Sequence, residues 1–583
     1  MDWDAWFTLA VVAGTVYALA RDVLAPSVAM VGAMVVLLVA GVIDPTQALA
    51  GFSSQAPMTV AALYIVARAV EKTGGLQPLL ASTLGEGRGV RMPLVRLLIP
   101  AAGASAFLNN TPIVAMLLQP VTQWCERRGL SPSRFLMPLS FAAILGGVIT
   151  LIGTSTNIVV SGLLEASGHG GLGMFEMTHV GLPVALIGIF SLVILAPVLL
   201  PARRGARQDI AEAGREFVVS MRVEVGGPLD GKAVQEGGLR HLQGVFLVEV
   251  EREGDREAPV GPDFVLKGGD ILTFVGRADL IVDLQTMRGL ASAEAKHLDD
   301  LDSPSHTFFE VVIGEASPLM GRTVRDVRFR EQYQAAVLAI HRSGRRVDAK
   351  IGEVELRVGD TLLLLSDPGF QRRWRDRGDF LLVSRLGGTT PAATRKAWIA
   401  GLLTIGVVVV AGAGLLPILQ ASLVAAILTV VFGVLTPGEA RSAVDLDVIL
   451  LIAASFGVGA AIETSGLANA VANGLLATFG GLGPRGTLLG IVLTTVLLTE
   501  LITNNAAAVL VFPVGLVAGA AAGLDPHTVA IAIAIAASAS FLTPIGYQTN
   551  TMVYGPGGYR FGDYARLGAP LTVVVIVAVV ILT

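Results

Sequence analysis

The sequence predicts a polytopic α-helical membrane protein with a soluble α+β insert, and three observations support this fold class. The 583 residues are 53% hydrophobic and only 15% charged, whereas soluble chains carry about 25% charged residues. Charge is also unevenly spread, since residues 1–207 and 395–583 hold only 18 of the 42 Lys and Arg. Two Asn pairs, Asn109-Asn110 and Asn504-Asn505, lie in otherwise apolar stretches of these two membrane segments.

Two sets of six apolar runs flank the insert and predict the membrane elements in order. A crossing needs about 20 apolar residues, so the fourth run of each set, which carries an Asn pair near its middle, is too long for one crossing. We predict a re-entrant hairpin there, at about 92–122 and again at about 487–521. Each set then has five crossings plus one hairpin, which inverts the second repeat relative to the first. The runs are at about 5–20, 26–43, 54–70, 92–122, 135–164 and 178–200, then at about 397–413, 415–435, 447–463, 487–521, 526–556 and 566–582.

The charge distribution predicts the orientation of the chain in a cell membrane, plasma or inner. With the insert cytoplasmic and both termini outside, 17 of the 18 Lys and Arg of the membrane segments lie inside, and only Arg485 lies outside. Such an asymmetry is the positive-inside pattern of multi-pass proteins. Asp2 and Asp4 precede the first apolar run without any Lys or Arg, so we expect a retained span rather than a signal peptide.

Short matches in the same order link the two membrane segments and predict internal repeats at 1–208 and 393–583. A Gly-Leu-x-Pro run follows each Asn pair, at 129–132 and 523–526. Further along, Gly153-Thr154-Ser155-Thr156-Asn157 matches Gly546-Tyr547-Gln548-Thr549-Asn550. Both five-residue runs interrupt long apolar stretches, which predicts two unwound crossings that face the hairpin tips.

The insert contains a second, separate repeat with an offset of 90 residues. Pro228-Leu229-Asp230-Gly231 pairs with Pro318-Leu319-Met320-Gly321, and Gly269-Asp270 pairs with Gly359-Asp360. Each copy shows a strand pattern, a short helix, hairpin strands and a last strand after the Gly-Asp dipeptide. We predict two α+β domains, at 209–300 and 301–392.

The Asn pairs predict a ligand site inside the membrane, because a buried amide costs several kcal/mol, roughly, unless it is hydrogen-bonded. Polar breaks in corresponding apolar segments are typical of transporters whose site lies at the interface of two repeats. Carbonyl and hydroxyl oxygens there can bind Na⁺, whereas amides, hydroxyls and helix N-terminal N–H groups can hold an anion. The alternative is that these residues only join helices by hydrogen bonds. The predicted substrate-binding residues are Asn109, Asn110, Thr111, Thr154, Ser155, Asn157, Asn504, Asn505, Thr549 and Asn550.

Glu500, four residues before Asn504, is a carboxylate in an apolar run. Ionisable residues within membrane segments mark functional sites by default. Glu500 can ligate Na⁺ or carry a proton, and the alternative is a solvated glutamate at the outer end of a helix.

The membrane segments resemble the divalent anion/sodium symporter family of the wider ion transporter superfamily, which carries a Ser-Asn-Thr signature at each hairpin tip. Here the tips read Asn109-Asn110-Thr111 and Asn504-Asn505-Ala506. The resemblance implies an elevator-type mechanism and a homodimer. It also implies one Na⁺ at Ser105, Asn109, Asn110 and Gly153 and a second Na⁺ near Asn504, Asn505 and Gly546. Ala506, which lacks a hydroxyl, and Glu500 depart from the family pattern.

The insert resembles paired C-terminal domains of the RCK type, known from potassium channels and transporters. That resemblance implies a regulatory module that dimerises and binds a nucleotide or another small ligand.

The expected function is sodium-coupled import of a small divalent anion, sulfate or a dicarboxylate. The alternative is a cation/proton antiporter of the same superfamily with Glu500 as the carrier. A potassium channel subunit, suggested by the insert alone, would need a Thr-Val-Gly-Tyr-Gly filter, which is missing from the sequence. The sequence also shows no catalytic triad, Walker loop or Cys/His metal pattern, so we expect no enzyme activity. The net charge of −4 argues against a nucleic-acid partner, and Cys125, as the single cysteine, excludes an internal disulfide.

Overall fold

The chain forms two compact units in the computed structural model. A helical unit contains residues 1–202, 390–554 and 559–583, and an insert unit contains residues 203–389 with 555–558. The predicted domain boundaries at 208–209, 300–301 and 392–393 fall outside the described residues. The structure describes residues 2–21, 23–74, 89–203, 396–544 and 546–583, and residues 216–385 except 240–241, 243–244, 253–254, 258–259, 278–288, 293–306, 315–316, 343–344, 348, 350, 368 and 375–378.

Helices α1 to α9 build the first membrane segment, and most of their sequence is apolar on all sides, as expected for helices surrounded by lipid or by other helices. Residues on outward faces, such as Val39 and Val198, are apolar and strongly exposed. The helices are α1 Trp3–Ala20, α2 Pro26–Val39, α3 Pro45–Leu49, α4 Gln55–Thr73, α5 Arg91–Ser105, α6 Asn110–Arg127, α7 Leu136–Gly147, α8 Ser155–Ala166 and α9 Thr178–Leu199.

The second membrane segment repeats this order of helices after the two short helices of the insert, α10 Phe329–Tyr333 and α11 Phe370–Trp374. Helix α16 was not predicted from the sequence, and its counterpart in the first segment would fall at 75–88, outside the described residues. The helices are α12 Ala397–Gly412, α13 Ile418–Val431, α14 Pro437–Ser442, α15 Leu446–Thr464, α16 Leu467–Phe479, α17 Pro484–Thr499, α18 Asn504–Ala521, α19 Pro526–Ser538, α20 Gln548–Tyr554 and α21 Phe561–Leu582.

Two pairs of local motifs show how closely the segments correspond. The short helices α3 and α14 both begin with a proline after a capping box, Asp44 with Gln47 and Thr436 with Glu439, in which each side chain satisfies a free backbone N–H of the first turn. The loops after α6 and α18 both pass through a glycine in the left-handed region, with φ of 64° at Gly129 and 74° at Gly523. Glycine adopts this conformation without the clash that a Cβ would cause.

Six helical stretches among the described residues are long and apolar enough to cross a membrane by length and composition, and six more apolar helices are shorter. The predicted hairpins correspond to α5 with α6 and to α17 with α18. The predicted crossings at 135–164 and 526–556 are each two helices, separated by breaks at 148–154 and 539–547. The helices that lead into these breaks form the centre of the unit, because every residue of Leu136–Gly147 and of Val529–Ser538 is buried.

The insert unit contains two antiparallel five-stranded sheets, and the order of strands is the same in both. The first sheet has the order β3-β2-β4-β1-β5, and the second has the order β8-β7-β9-β6-β10 when written in the same direction. Even the irregularities repeat, since a bulge between Leu247 and Glu249 recurs 90 residues later between Val337 and Ala339. The strands are β1 Glu216–Val223, β2 Val245–Arg252, β3 Asp255–Glu257, β4 Ile271–Arg277, β5 Leu290–Ser292, β6 Thr307–Val312, β7 Ala335–Arg342, β8 Arg345–Arg346, β9 Thr361–Ser366 and β10 Leu382–Arg385.

The repeated Gly-Asp dipeptides have a structural role in these sheets. Asp360 is fully buried and accepts hydrogen bonds from Arg342 Nε and Nη2 at 2.8 and 2.7 Å and from the backbone N–H of Arg357 at 2.9 Å. Asp270 is held in the same way by Arg252 and by the N–H of Lys267. The hydrogen bond to Asp360 raises the pKa of Arg342, which therefore stays charged. Each pair ties the hairpin strand, β2 or β7, to the turn before β4 or β9. The expectation that each copy ends with that strand is wrong, because β5 and β10 follow and complete the sheets.

We expect Asp360→Asn to destabilise the second sheet by about 3 kcal/mol, because a buried ion pair that loses one charge leaves the other uncompensated. Hydrogen exchange of the β9 amides in the purified full-length protein measures this. Asp326→Asn, at an exposed position of the same domain, is the matched control and should exchange like the wild type. Unchanged β9 protection in Asp360→Asn would contradict the role assigned to the pair.

Candidate functional site

The two hairpin tips have the same backbone construction. In the first tip the N–H groups of Phe107 and Leu108 both bond to the carbonyl of Ala104, and in the second those of Leu501 and Ile502 both bond to the carbonyl of Leu498. Helices α6 and α18 then begin at Asn110 and Asn504. The Asn pairs therefore lie where a helix starts and its first N–H groups lack intrahelical partners.

Two asparagines hold the helix breaks in shape, and their contacts are equivalent. Asn157 Nδ2 donates to the carbonyls of Gly147 and Thr150, both at 2.9 Å. Asn550 Nδ2 donates to the carbonyls of Ser540 and Thr543 at 3.0 and 3.3 Å. In both cases the acceptors lie 10 and 7 residues earlier in the chain. These bonds satisfy carbonyls that lack helical partners, which irregular backbone at this depth requires.

The structure thus gives three predicted substrate-binding residues a structural role. The amide groups of Asn157 and Asn550 are engaged by the backbone, and Thr549 Oγ1 lies within hydrogen-bond distance of Ser140 Oγ, at 2.9 Å. Ser140 donates its single hydroxyl hydrogen to Asn550 Oδ1 at 2.7 Å. All three predicted residues are fully buried and lie in the first turns of α8 and α20 rather than in the unwound stretch.

The first hairpin tip contacts the break of the second segment. Asn110 accepts a hydrogen bond from Ser105 Oγ on its Oδ1 and donates from its Nδ2 to the phenol of Tyr547, both at 2.6 Å. Thr154 Oγ1 lies 3.2 Å from the same phenol oxygen. Thr111 Oγ1 donates to Gln548 Oε1 at 3.3 Å. Two predicted residues, Asn110 and Thr154, therefore contact a tyrosine that the sequence analysis did not select.

The second hairpin tip contacts the break of the first segment in turn. Asn505 Oδ1 accepts from Thr156 Oγ1 at 2.8 Å and from Ser155 Oγ at 3.3 Å. Asn504 Nδ2 donates to Thr156 Oγ1 at 2.7 Å. Each tip thus contacts the break, or the helix start just after it, of the opposite segment. Each tip also contacts the break of its own segment, through Thr150 with the carbonyl of Ala106 and through Glu500 with the N–H of Phe541.

As a consequence, the N-termini of α6, α8 and α18 converge on one place. Their first residues, Asn110, Ser155 and Asn504, take part in the contacts described above. The N-terminus of a helix carries a partial positive charge and free N–H donors, and it favours anions. The surrounding stretches 105–111, 148–157, 499–505 and 539–551 contain no Lys or Arg, so helix termini and neutral donors supply the positive potential.

A group of oxygen atoms next to the second tip has unused acceptor capacity. Glu500 Oε1 accepts from the N–H groups of Phe541 and Leu542 at 2.7 and 2.8 Å. Its other oxygen, Oε2, is buried without a hydrogen-bond partner in the described part of the chain, as are Thr503 Oγ1, Ser538 Oγ and Ser540 Oγ. Hard cations take such oxygen ligands.

The two predicted glycine positions lie where the backbone is close to other oxygens. A Cβ on Gly546 would lie 2.0 Å from Ser540 Oγ and 3.2 Å from the carbonyl of Thr499. A Cβ on Gly153 would lie 2.4 Å from the carbonyl of Gly147. Only glycine permits these approaches. Asn109 lies to one side and lines a cavity with Tyr64, Phe107 and Ser155.

Sequence reasoning missed Tyr547, Thr156, Ser140 and Gln548. Tyr547 could have been found, because it occupies the position of Thr154, a predicted residue, in the matched run. Ser140 has no such signal, since Ile533 stands at the corresponding place in α19.

We expect Asn550→Ala to lower the unfolding temperature and the transport rate more than Asn157→Ala. Asn550 has three hydrogen bonds to lose, including the one from Ser140, whereas Asn157 Oδ1 has no partner among the described residues. Each buried group left unpaired costs about 1–3 kcal/mol. Thermal unfolding of the two purified variants measures the difference. An equal or larger loss in Asn157→Ala would contradict the ranking.

Comparison with known proteins places this geometry in a family. The model of the citrate transporter family matches residues 15–527 and 475–583. The chain is 36% identical to an uncharacterized transporter of Synechocystis over 99% of this chain and 96% of that one. It is 35% identical to a putative sulfur deprivation response regulator of Chlamydomonas reinhardtii, over 94% and 96% of the two chains.

A probable sodium/sulfate cotransporter of the same alga is 26% identical, over 91% of this chain and 82% of the relative. The solved structure of the YdaH transporter of Alcanivorax borkumensis has a TM-score of 0.43 and 13% identity to this chain. The alignment covers 92% of this chain and 86% of that one. The family that matches is named for citrate, whereas the sequence resemblance pointed to divalent anion/sodium symporters. The chain belongs to the citrate transporter family and is a multi-pass membrane transporter rather than an enzyme.

Proposed function

We propose that the chain imports a small divalent anion by sodium-coupled secondary transport, with sulfate as the first candidate and a dicarboxylate as the second. The observation that carries the proposal is the convergence of three helix N-termini on the paired asparagines, in stretches without Lys or Arg. Donors of this kind bind a compact anion through N–H and O–H groups near the middle of the membrane. Two algal relatives are named as sodium/sulfate cotransporters, one of them as a probable one, and sulfate is such an anion.

Sodium fits the site because the polypeptide supplies only neutral groups and one negative charge there. Within the four stretches that form the tips and breaks, Glu500 is the single charged residue, so a dianion needs added positive charge. The free oxygens of Glu500, Thr503 and Ser540 offer one Na⁺ site beside Gly546. Ser105, Asn110 and Gly153 offer the other, and the Asn157 oxygen without a partner lies at the same break.

The transport cycle follows from two inverted repeats that move as an elevator. The crossed contacts between each tip and the opposite break join both hairpins and both broken helices into one assembly. The helices α2 with α15 and α4 with α13 pack against each other and would form the stationary part. We further propose that the protein is a homodimer with the insert on the cytoplasmic side.

The insert has the composition and the folded sheets of a soluble regulatory module, and we propose that it controls the rate of transport. A nucleotide or another small ligand would be its signal. Asp270 and Asp360 are occupied by their arginine partners, so they would not be the ligand contacts.

A cation/proton antiporter is the second candidate, and Glu500 is the observation that favours it. Its carboxylate is part-buried and has one oxygen without a hydrogen-bond partner among the residues that the structure describes, which is suitable for a proton carrier.

Uptake into proteoliposomes tests the proposal. Labelled sulfate, succinate and ²²Na⁺ are supplied with an inward Na⁺ gradient, with a proton gradient, and with neither. We expect Na⁺-driven uptake of a dianion. Uptake of Na⁺ that is driven by an outward proton gradient, in the absence of any dianion, would establish the antiporter instead.

A further inference from the structure

We propose that Tyr547 is the residue that limits the size of the transported anion, an inference that rests on the proposed function of the site. Its phenol oxygen lies 2.6 Å from Asn110 Nδ2 and 3.2 Å from Thr154 Oγ1, and Asn504 is within reach of the same hydroxyl. The phenol therefore lies where the N-termini of α6, α8 and α18 meet. The tyrosine is only 8% exposed.

Within the matched five-residue runs, the two breaks differ most in side-chain size at this position. Thr154 follows Gly153 in the first break, and Tyr547 follows Gly546 in the second. A phenol ring is much larger than a threonine side chain, and here it lies between Asn110 of the first tip and Thr154 of the first break. A bulky group at this place favours a compact tetrahedral dianion over a longer dicarboxylate or a tricarboxylate.

The ring is also fixed on both sides along the chain. Gly546 donates its N–H to Thr543 Oγ1 at 3.1 Å, and its Cα lies directly against Ser540. Gln548 on the other side accepts the hydrogen bond from Thr111. A phenol held in this way cannot swing aside for a larger substrate without breaking contacts of the first tip.

The hydroxyl itself supplies a donor for the anion. Asn110 Nδ2 can act only as a hydrogen-bond donor, so the phenol oxygen of Tyr547 is the acceptor in that bond. When Thr154 donates to the same oxygen as well, the phenolic hydrogen points into the site. Tyr547 thus contributes both a wall and a hydrogen bond, and two substitutions separate these contributions. Tyr547→Phe keeps the ring and removes the hydroxyl, whereas Tyr547→Thr removes the ring and keeps a hydroxyl.

The test is a comparison of sulfate, succinate and citrate uptake, with sulfate binding to the detergent-purified protein as a second readout. In Tyr547→Phe we expect the KM for sulfate to rise about tenfold, which corresponds to about 1.4 kcal/mol, without any gain for succinate. In Tyr547→Thr we expect kcat/KM for succinate relative to sulfate to rise at least tenfold. Tyr554→Phe, another buried tyrosine at the end of α20, is the control and should keep the wild-type ratio.

The outcomes distinguish this inference from the proposed function. Wild type that transports sulfate, with an unchanged succinate-to-sulfate ratio in Tyr547→Thr, overturns the size limit and leaves the proposed function intact. Equal losses for every substrate in both variants, with sulfate binding lost in parallel, would show a purely structural tyrosine and overturn it too. Wild type without Na⁺-driven uptake of any dianion overturns the proposed function and this inference together.

Discussion

Asn110→Ala and Asn505→Ala are each expected to reduce the apparent affinity for Na⁺ by at least tenfold. Asn110→Ala removes the hydrogen bonds of Ser105 and Tyr547 to this amide, and Asn505→Ala removes those of Thr156 and Ser155. Each lost hydrogen bond costs about 1–3 kcal/mol of interaction free energy. A change of about 1.4 kcal/mol corresponds to a tenfold change in affinity. Both changes also loosen the joint between a hairpin tip and the opposite break.

The measurement is Na⁺ activation of substrate uptake at matched membrane levels of each variant. Asn473→Ala, an exposed asparagine on α16, controls for the loss of an amide elsewhere in the same unit and should behave as wild type. If both site variants showed normal Na⁺ activation, the assignment of the tips to ion and substrate binding would be wrong.

Glu500→Gln is expected to weaken Na⁺ dependence about tenfold and to leave the dependence of uptake on pH nearly flat. Gln retains a carbonyl oxygen that can accept the N–H groups of Phe541 and Leu542, so the loop keeps its anchor. The substitution removes the negative charge and replaces the free Oε2 with a donor. A cation site that depends on this oxygen therefore loses a ligand while the fold persists.

Uptake is measured against external pH at fixed Na⁺ in wild type and in Glu500→Gln. Glu463→Gln, exposed near the end of α15, is the matched control. We expect Na⁺ coupling because Thr503 Oγ1, in the same hairpin tip as Glu500, and Ser540 Oγ, next to Phe541 in the break that Glu500 contacts, also lack a hydrogen-bond partner among the described residues. A proton gradient that alone drives full uptake in wild type, and fails to do so in Glu500→Gln, would make Glu500 a proton carrier.

The elements of the fold follow closely from local sequence. The helices α5, α6, α17 and α18, the helix breaks at 148–154 and 539–547 and the strands β2 and β7 lie within a few residues of the runs and motifs selected from the sequence. These features depend on hydrophobic length and on turn chemistry, which act over about 20 residues. The amphipathic helix α16 escaped notice because Asn469 and Asn473 interrupt its apolar pattern.

Residue types alone did not reveal which asparagines bind backbone carbonyls of their own segment and which contact the opposite segment. All six candidate asparagines sit in apolar surroundings with glycine or small polar neighbours. Asn157 and Asn550 turned out to hold carbonyls 7 and 10 residues earlier, whereas Asn110 and Asn505 reach across to the opposite segment. The direction of a side chain depends on where its helix begins, and boundaries of helices are the least certain part of a sequence prediction.

The sequence by itself determined that this protein has two matched apolar segments with polar breaks, a repeated insert and one carboxylate candidate in an apolar run, because each of these features lies in a continuous stretch of chain. Only the tertiary structure decided that each hairpin tip meets the break of the other segment and that Tyr547 lies between Asn110 and Thr154. Those contacts join residues 348 to 437 positions apart. Their pairing depends on how all the helices pack at once, and no local periodicity or spacing encodes it.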